Sequence, residues 1–316
     1  MQHLRITGLV AVLLTAAFVQ TDAARAATCP DLLASAIPAR PVDAVSATAF
    51  VRRIHDLDGA AREDQIVAEL HAGNIPSRLR RLEPVTLRGA SADAPDITIC
   101  VGQDYLAVGS DDDFVRVPMG LQAAMTTATS FGFVLPTPRM VDAIYHQAEI
   151  RLAPEPLPAG DAMRSTAYFS AHNRLIAAQR GQVPPAADSL VAGHKKDLVL
   201  TNRLWSKLDR VAIYGWHKSD GKPIQPLSTV HGARYADYSH GIRLVSLVAY
   251  VDGVPRSLLD LLQDRRLAGL LSGEGPIERV ADLVHAVAGS VDPGLLQATA
   301  ARMAESARQG LALARR

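Results

Sequence analysis

The sequence predicts an α+β fold, a mainly antiparallel sheet flanked by helices and followed by a helical C-terminal region. Three observations predict it. Segments with apolar residues at helical spacing are separated by short β-branched runs bounded by Asp, Gly and Pro. The turn Ser219-Asp220-Gly221-Lys222 sits between two extended stretches and reads as a hairpin. After Pro255 the pattern is helical throughout.

From Ser46 to Leu82 the period is helical. Ser46 can cap the run that carries Phe50, Val51, Ile54 and Leu57; Asp58-Gly59 breaks it, and Glu63–Ala72 resumes with Ile66, Val67 and Leu70. The runs PVTLRG, DITICVG, DYLAVGS and DFVRVPM then read as strands. Gly120–Phe131 and Met140–Ile150 return to helix, the second opened by Leu135-Pro136-Thr137-Pro138. A Pro-rich piece, Ala153–Gly160, is the candidate linker, and Met163–Gly181 is helical. A strand-rich block at 190–256 follows, with RVAIYGW and GIRLVSLVAYVDG as its clearest runs. Ser257–Leu271, Ile277–Val287 and Pro293–Ala314 complete the chain; the last carries Leu296, Ala300, Met303, Ala307 and Leu311 on one stripe. The expected organisation is a signal peptide over 1–26, a mixed α/β lobe over 27–152, and a C-terminal lobe over 161–316.

The leader expectation rests on Arg5, the apolar run Leu9–Val19 and the small-x-small site Ala24-Arg25-Ala26. No later run has the ~20 apolar residues of a membrane span. A periplasmic or secreted location follows, and there Cys29 and Cys100 are expected to form a disulfide. The 33 basic and 32 acidic residues become 31 of each once Arg5, Arg25 and Asp22 are removed with the leader. That balance offers no electrostatic footprint for nucleic acid or for an anionic membrane surface.

Four of the ten histidines, His194, His217, His231 and His240, fall in the strand-rich block, with Trp205, Trp216, Tyr214, Tyr235 and Tyr238. Each lies at the edge of an expected strand, where a rigid scaffold presents reactive groups. Two chemistries suit them. His231, Asp237 and His240 can serve as zinc ligands, with His194 or His217 completing the shell. Alternatively, a histidine acts as general base, oriented by Asp197 or Asp237, while Arg243 or Lys196 holds an anionic group. Ser239, also a candidate catalytic residue, does not make a triad with the adjacent His240, since neighbours on a strand face opposite ways, and is better paired with a histidine elsewhere. Trp216, Tyr235 and Tyr238 are suited to line a binding groove, and Arg116, Arg139 and Asp142 to form a second wall. Asp111-Asp112-Asp113 reads as a polar turn and Lys195-Lys196 as a solvated pair.

Val230-His231-Gly232 followed by Ser239-His240-Gly241-Ile242-Arg243-Leu244 resembles the HG…SHGCIR signature of YkuD-type L,D-transpeptidases. The resemblance covers some 15 residues and implies a peptidoglycan-related role outside the cytoplasm. It departs at the family's catalytic cysteine, because Gly241 runs directly into Ile242, and the spacing from His231 to Ser239 is short. It implies either an inactive relative or one with different chemistry. The resulting expectation is an exported hydrolase of a cell-envelope or extracellular polymer; the alternative is a non-catalytic binding or envelope-associated protein using the same cleft.

Overall fold

In the computed structural model, which describes residues 29–91, 93–182 and 189–314, Ser46 opens the first helix. Its hydroxyl accepts the Ala49 N–H at 3.2 Å, and α1 spans Ala47–Arg53. The expected leader lies outside the described residues. The chain leaves helix after Arg53, and α2 (Gly59–His71) begins at Gly59, within the expected break and four residues before Glu63, and buries Ile66 and Leu70. Strands β1 (Leu82–Leu87) and β2 (Ile97–Gly102) pair antiparallel, as do β3 (Ala107–Gly109) and β4 (Phe114–Arg116). Helix α3 (Leu121–Ser130) leads through β5 (Phe133–Val134) to α4 (Pro138–Gln147), which Thr137 caps through the Met140 N–H. Proline at the first helical position loses no bond, because that N–H has no partner within the helix.

Strand β6 (Ile150–Arg151) precedes the Pro-rich segment, and α5 (Thr166–Gly181) follows it. Then come β7 (Val191–Ala192), β8 (Lys196–Leu198), β9 (Ile213–His217), β10 (Pro223–Ser228) and β11 (His240–Gly241). The expected hairpin turn joins β9 to β10. Strand β12 (Val245–Val251) is followed by a further strand, β13 (Val254–Ser257), where helix was expected to start soon after Pro255. The cause is Asp252-Gly253, with φ of 47° and 77°, a two-residue turn that folds the chain back onto β12. Helices α6 (Leu258–Gln263), α7 (Ala268–Leu271), α8 (Val280–Ala288) and α9 (Pro293–Ala314) complete the α+β architecture.

The main sheet runs β1-β2-β12-β13, with β5 also on β12, and all its pairs are antiparallel. Strands from both sides of the Pro-rich segment therefore share it. Every residue of β2 is buried, because the strand lies between β1 and β12 within a continuous core. A second sheet runs β10-β9-β8-β11, with β8 and β11 parallel. Residues 241–245 connect the two sheets. Cys29 and Cys100 form the expected disulfide, joining the first described residue to β2 across 71 positions. Among the described residues no helix is long and apolar enough to cross a membrane.

Candidate functional site

The parallel register of β11 on β8 sets His240 beside Lys196 and Gly241 beside Asp197. On the other edge of β8, Gly215 lies opposite Lys196 and Tyr214 opposite Asp197. Three of the sequence-selected stretches thus meet in one sheet. Glycine is required at 241: a Cβ there would lie 2.5 Å from the Tyr105 ring and 2.8 Å from Lys195 Cβ.

Burial dominates the electrostatics. His194, Asp197, His217, Asp237, Ser239, His240 and Arg243 are each at most 2% exposed. Beneath them Arg116 forms a two-pronged ion pair with Asp104, Nε donating to Oδ1 at 2.9 Å and Nη2 to Oδ2. His194 Nε2 lies 3.2 Å from the same Oδ1. Burial raises the Asp104 pKa, but Arg116 and His194 outweigh it and hold the carboxyl well below its usual range. Burial pushes His194 down to about 4, against the pull of Asp104. Its imidazole is neutral at pH 7, donates from Nε2, and leaves Nδ1 without a partner.

Lys195 departs from the solvated pair that was expected, being 1% exposed while Lys196 stays half-buried. Neighbours in an extended segment face opposite ways, so one lysine turns inward. Its ammonium donates to the Tyr238 carbonyl and to His172 Nδ1 at 3.1 Å. Burial, reinforced by Arg116, brings Lys195 down to about 7, and burial beside Lys195 brings His172 to about 2. Asp197 accepts the Tyr105 hydroxyl at 2.8 Å, and burial pushes it up to about 6. Arg243 lies over the Tyr105 ring and donates to the carbonyls of Gly102 (2.8 Å) and Val191 (2.7 Å), so its guanidinium ties the end of β2 to β7.

A separate group forms at β9. His217 Nε2 is 2.8 Å from Asp142 Oδ1, Tyr214 donates to both Asp142 oxygens, and the His217 ring stacks on Tyr145. Asp142 is thus brought against Tyr214 and His217, whereas Arg139 is exposed and makes no hydrogen bond or ion pair among the described residues. Trp216 has φ of 57°, packs with Phe169 and Tyr238, and receives the Lys196 ammonium 5.1 Å from its ring. Tyr238 is a wall of another kind: its hydroxyl accepts the Leu157 N–H at 2.7 Å and pins the Pro-rich segment.

The last group carries the least satisfied chemistry. Asp237 Oδ1 accepts both the backbone N–H (2.7 Å) and the hydroxyl (2.5 Å) of Ser239. Asp237 Oδ2 is 3.9 Å from His240 Nε2, beyond hydrogen-bond distance. Neither ring nitrogen of the buried His240 has a partner. Burial drives that imidazole down to about 4, against Asp237; burial raises Asp237, but His240 and Ser239 bring it below its ordinary value. Tyr235 contacts the His240 ring edge-on at 5.7 Å and stacks on the exposed His231 at 4.1 Å. Tyr235 therefore lies against both histidines assigned to zinc. Among the described residues no three His, Cys, Asp or Glu side chains converge in a manner that could hold a metal ion.

Asp104, Tyr105 and His172 are absent from the sequence-derived set. All three reach the cluster from other elements, and only the Asp104-Tyr105 step before a strand offered a local signal. An apolar groove of about 630 Å³, between Leu32 and α9, shares no residue with this cluster. Comparison with protein-family models, curated proteins and solved structures finds no match to the chain.

Proposed function

We propose that the chain is an exported hydrolase that cleaves a peptide or glycan chain of the cell envelope at the Asp237–His240 pair. One observation carries the reading: a fully buried imidazole with both nitrogens unpartnered, 3.9 Å from a carboxylate. Leaving one buried polar group unsatisfied costs ~1–3 kcal/mol. Such a cost is tolerated where the free nitrogens have work to do during a reaction.

In this mechanism the neutral His240 takes a proton from a water molecule as the water oxygen attacks the scissile centre. Asp237 stabilises the imidazolium, which returns the proton to the leaving group, so that water is added across the bond. Lys196, paired in register with His240 and held over Trp216, supplies the cation for the developing negative charge. Tyr235 covers His240 and must swing aside to admit substrate. The disulfide supports the exported location, since such bonds persist in oxidising compartments. The local resemblance to L,D-transpeptidases supports an envelope substrate, and the missing cysteine favours attack by water over an acyl-enzyme.

The test is incubation of the wild-type protein and His240→Gln with cell-wall peptides and glycans, reading new chain ends by mass spectrometry. Turnover by the wild type and its loss in a folded His240→Gln variant support the reading. Binding without turnover by the wild type replaces it with the non-catalytic one.

A further inference from the structure

Beside Tyr235 opens a cleft of about 390 Å³, walled by Tyr235 and Ala236, by the α1–α2 connection and by the residues just before α5. Its most buried charge is Arg62, 5% exposed. The Arg62 guanidinium lies 4.4 Å over the Phe169 ring, with only long contacts to the Leu57 carbonyl (3.4 Å) and the Thr166 hydroxyl (3.5 Å). Among the described residues no carboxylate is within ion-pair distance of it. Asp58 and Glu63 act on it only from beyond contact distance, and a buried guanidinium with no directly paired carboxylate is costly to hold.

The acids nearest to it are engaged elsewhere or sit at the edge. Glu63 accepts the Gly120 N–H, and Asp56 pairs with His55. Arg164 and Arg234, both exposed at the rim, make no ion pair among the described residues. Asp58 and Asp161 also line the cleft. With Asp56 and Glu63 the four lining acids outnumber the three arginines, so recognition rests on the buried Arg62 fork rather than on the net charge of the cleft, and a polyanion is disfavoured.

We propose that this cleft is the subsite for a free carboxylate on the substrate, clamped by Arg62 with Arg164 and Arg234 reaching it from the rim. The inference rests on the hydrolase reading and deepens it: Tyr235 is a wall of the cleft and the cover of His240, so the acidic group anchors the polymer one side chain from the chemistry. Arginine suits the role because its planar fork matches both carboxylate oxygens.

Titration calorimetry of the full chain tests this with three probes: N-acetyl-dialanine with a free C-terminal carboxylate, its C-terminal amide, and glucuronate. The expected result is roughly ten- to a hundred-fold tighter binding of the acid than of the amide, the loss typical of one charged hydrogen-bonded pair. Arg62→Gln removes that preference. The double variant Arg164→Ala/Arg234→Ala, whose changed residues are exposed, weakens the acid several-fold and leaves the amide unaffected, so the test survives if Arg62→Gln does not fold. Glucuronate bound in preference to the peptide acid, with the same arginine dependence, keeps the site and assigns a glycan. Equal affinity for acid and amide, a preference that survives these substitutions, or no binding of any probe overturns the proposal. The titration reads occupancy, not turnover. Arginine-dependent binding without hydrolysis would leave the subsite standing and remove the hydrolase; hydrolysis lost in His240→Gln with no acid preference would do the reverse.

Discussion

Asp104 stands at the base of the cluster with Arg116 on both of its oxygens and His194 3.2 Å from one of them. Both partners of the ion pair are at most 5% exposed. Asp104→Asn leaves the guanidinium buried and uncompensated, a loss of ~3–5 kcal/mol. The double variant Asp104→Leu/Arg116→Met removes both charges and recovers most of that loss. Urea unfolding of the two proteins checks it, and equal destabilisation by the single and double changes would contradict it.

His240 behaves in the opposite way. Its ring nitrogens have no partner to lose, so His240→Leu leaves stability unchanged or raises it by ~1–3 kcal/mol while abolishing turnover. A thermal melt gives the answer: a clear fall in midpoint would mark His240 as a structural member of the network.

Acidification weakens the fold through its neutral histidines. His172, His194 and His240 have folded pKa values of about 2, 4 and 4, below the unfolded value of 6.5, so their contribution is complete above pH 6.5 and is lost as pH falls through those values. Asp197, raised to about 6, works against them. At pH 5 unfolding then takes up about two protons net, a slope of roughly 2–3 kcal/mol per pH unit. Lys195, lowered to about 7, adds a second rise in stability above neutrality. Urea midpoints measured from pH 5 to 9 should climb through both windows, and Lys195→Met should flatten the upper one.

The disulfide closes a loop of 71 positions, for which loop-closure entropy predicts about 4 kcal/mol of stabilisation. Cys100 is fully buried whereas Cys29 is only partly so, and dithiothreitol is therefore expected to attack at the Cys29 sulfur. The paired change Cys29→Ser/Cys100→Ser, followed by calorimetry, measures the loss; a midpoint within a degree of wild type would refute it.

Local signals made much of this legible. Ser46 reads as a cap because its side chain bonds within one turn, Leu135–Pro138 marks the start of α4, and the α9 stripe shows its period directly. The hairpin at Ser219–Lys222 was plain, yet the equivalent Asp252-Gly253 turn passed unread before an apparently helical tail. In the site, His194, Asp197, Asp237, Ser239 and His240 were visible as a dense polar stretch. Their partners were not, since Asp104 and His172 reach them only through the sheet crossings and helix packing. Proximity in sequence also misled: His231 and His240 are nine positions apart, yet Tyr235 packs against both, one of them exposed and the other buried.

The strand order bears on how the chain is made. Strand β2 has β1 on one side, but its other neighbour, β12, is synthesised only after about 150 further residues. At ribosomal speeds of ~5–20 residues per second, ITICVG waits roughly 7–30 s with one edge open. During that interval the nascent chain offers an apolar, β-prone edge and cannot close its central layer, so protection of that edge by a holding chaperone is part of what this topology asks of the cell.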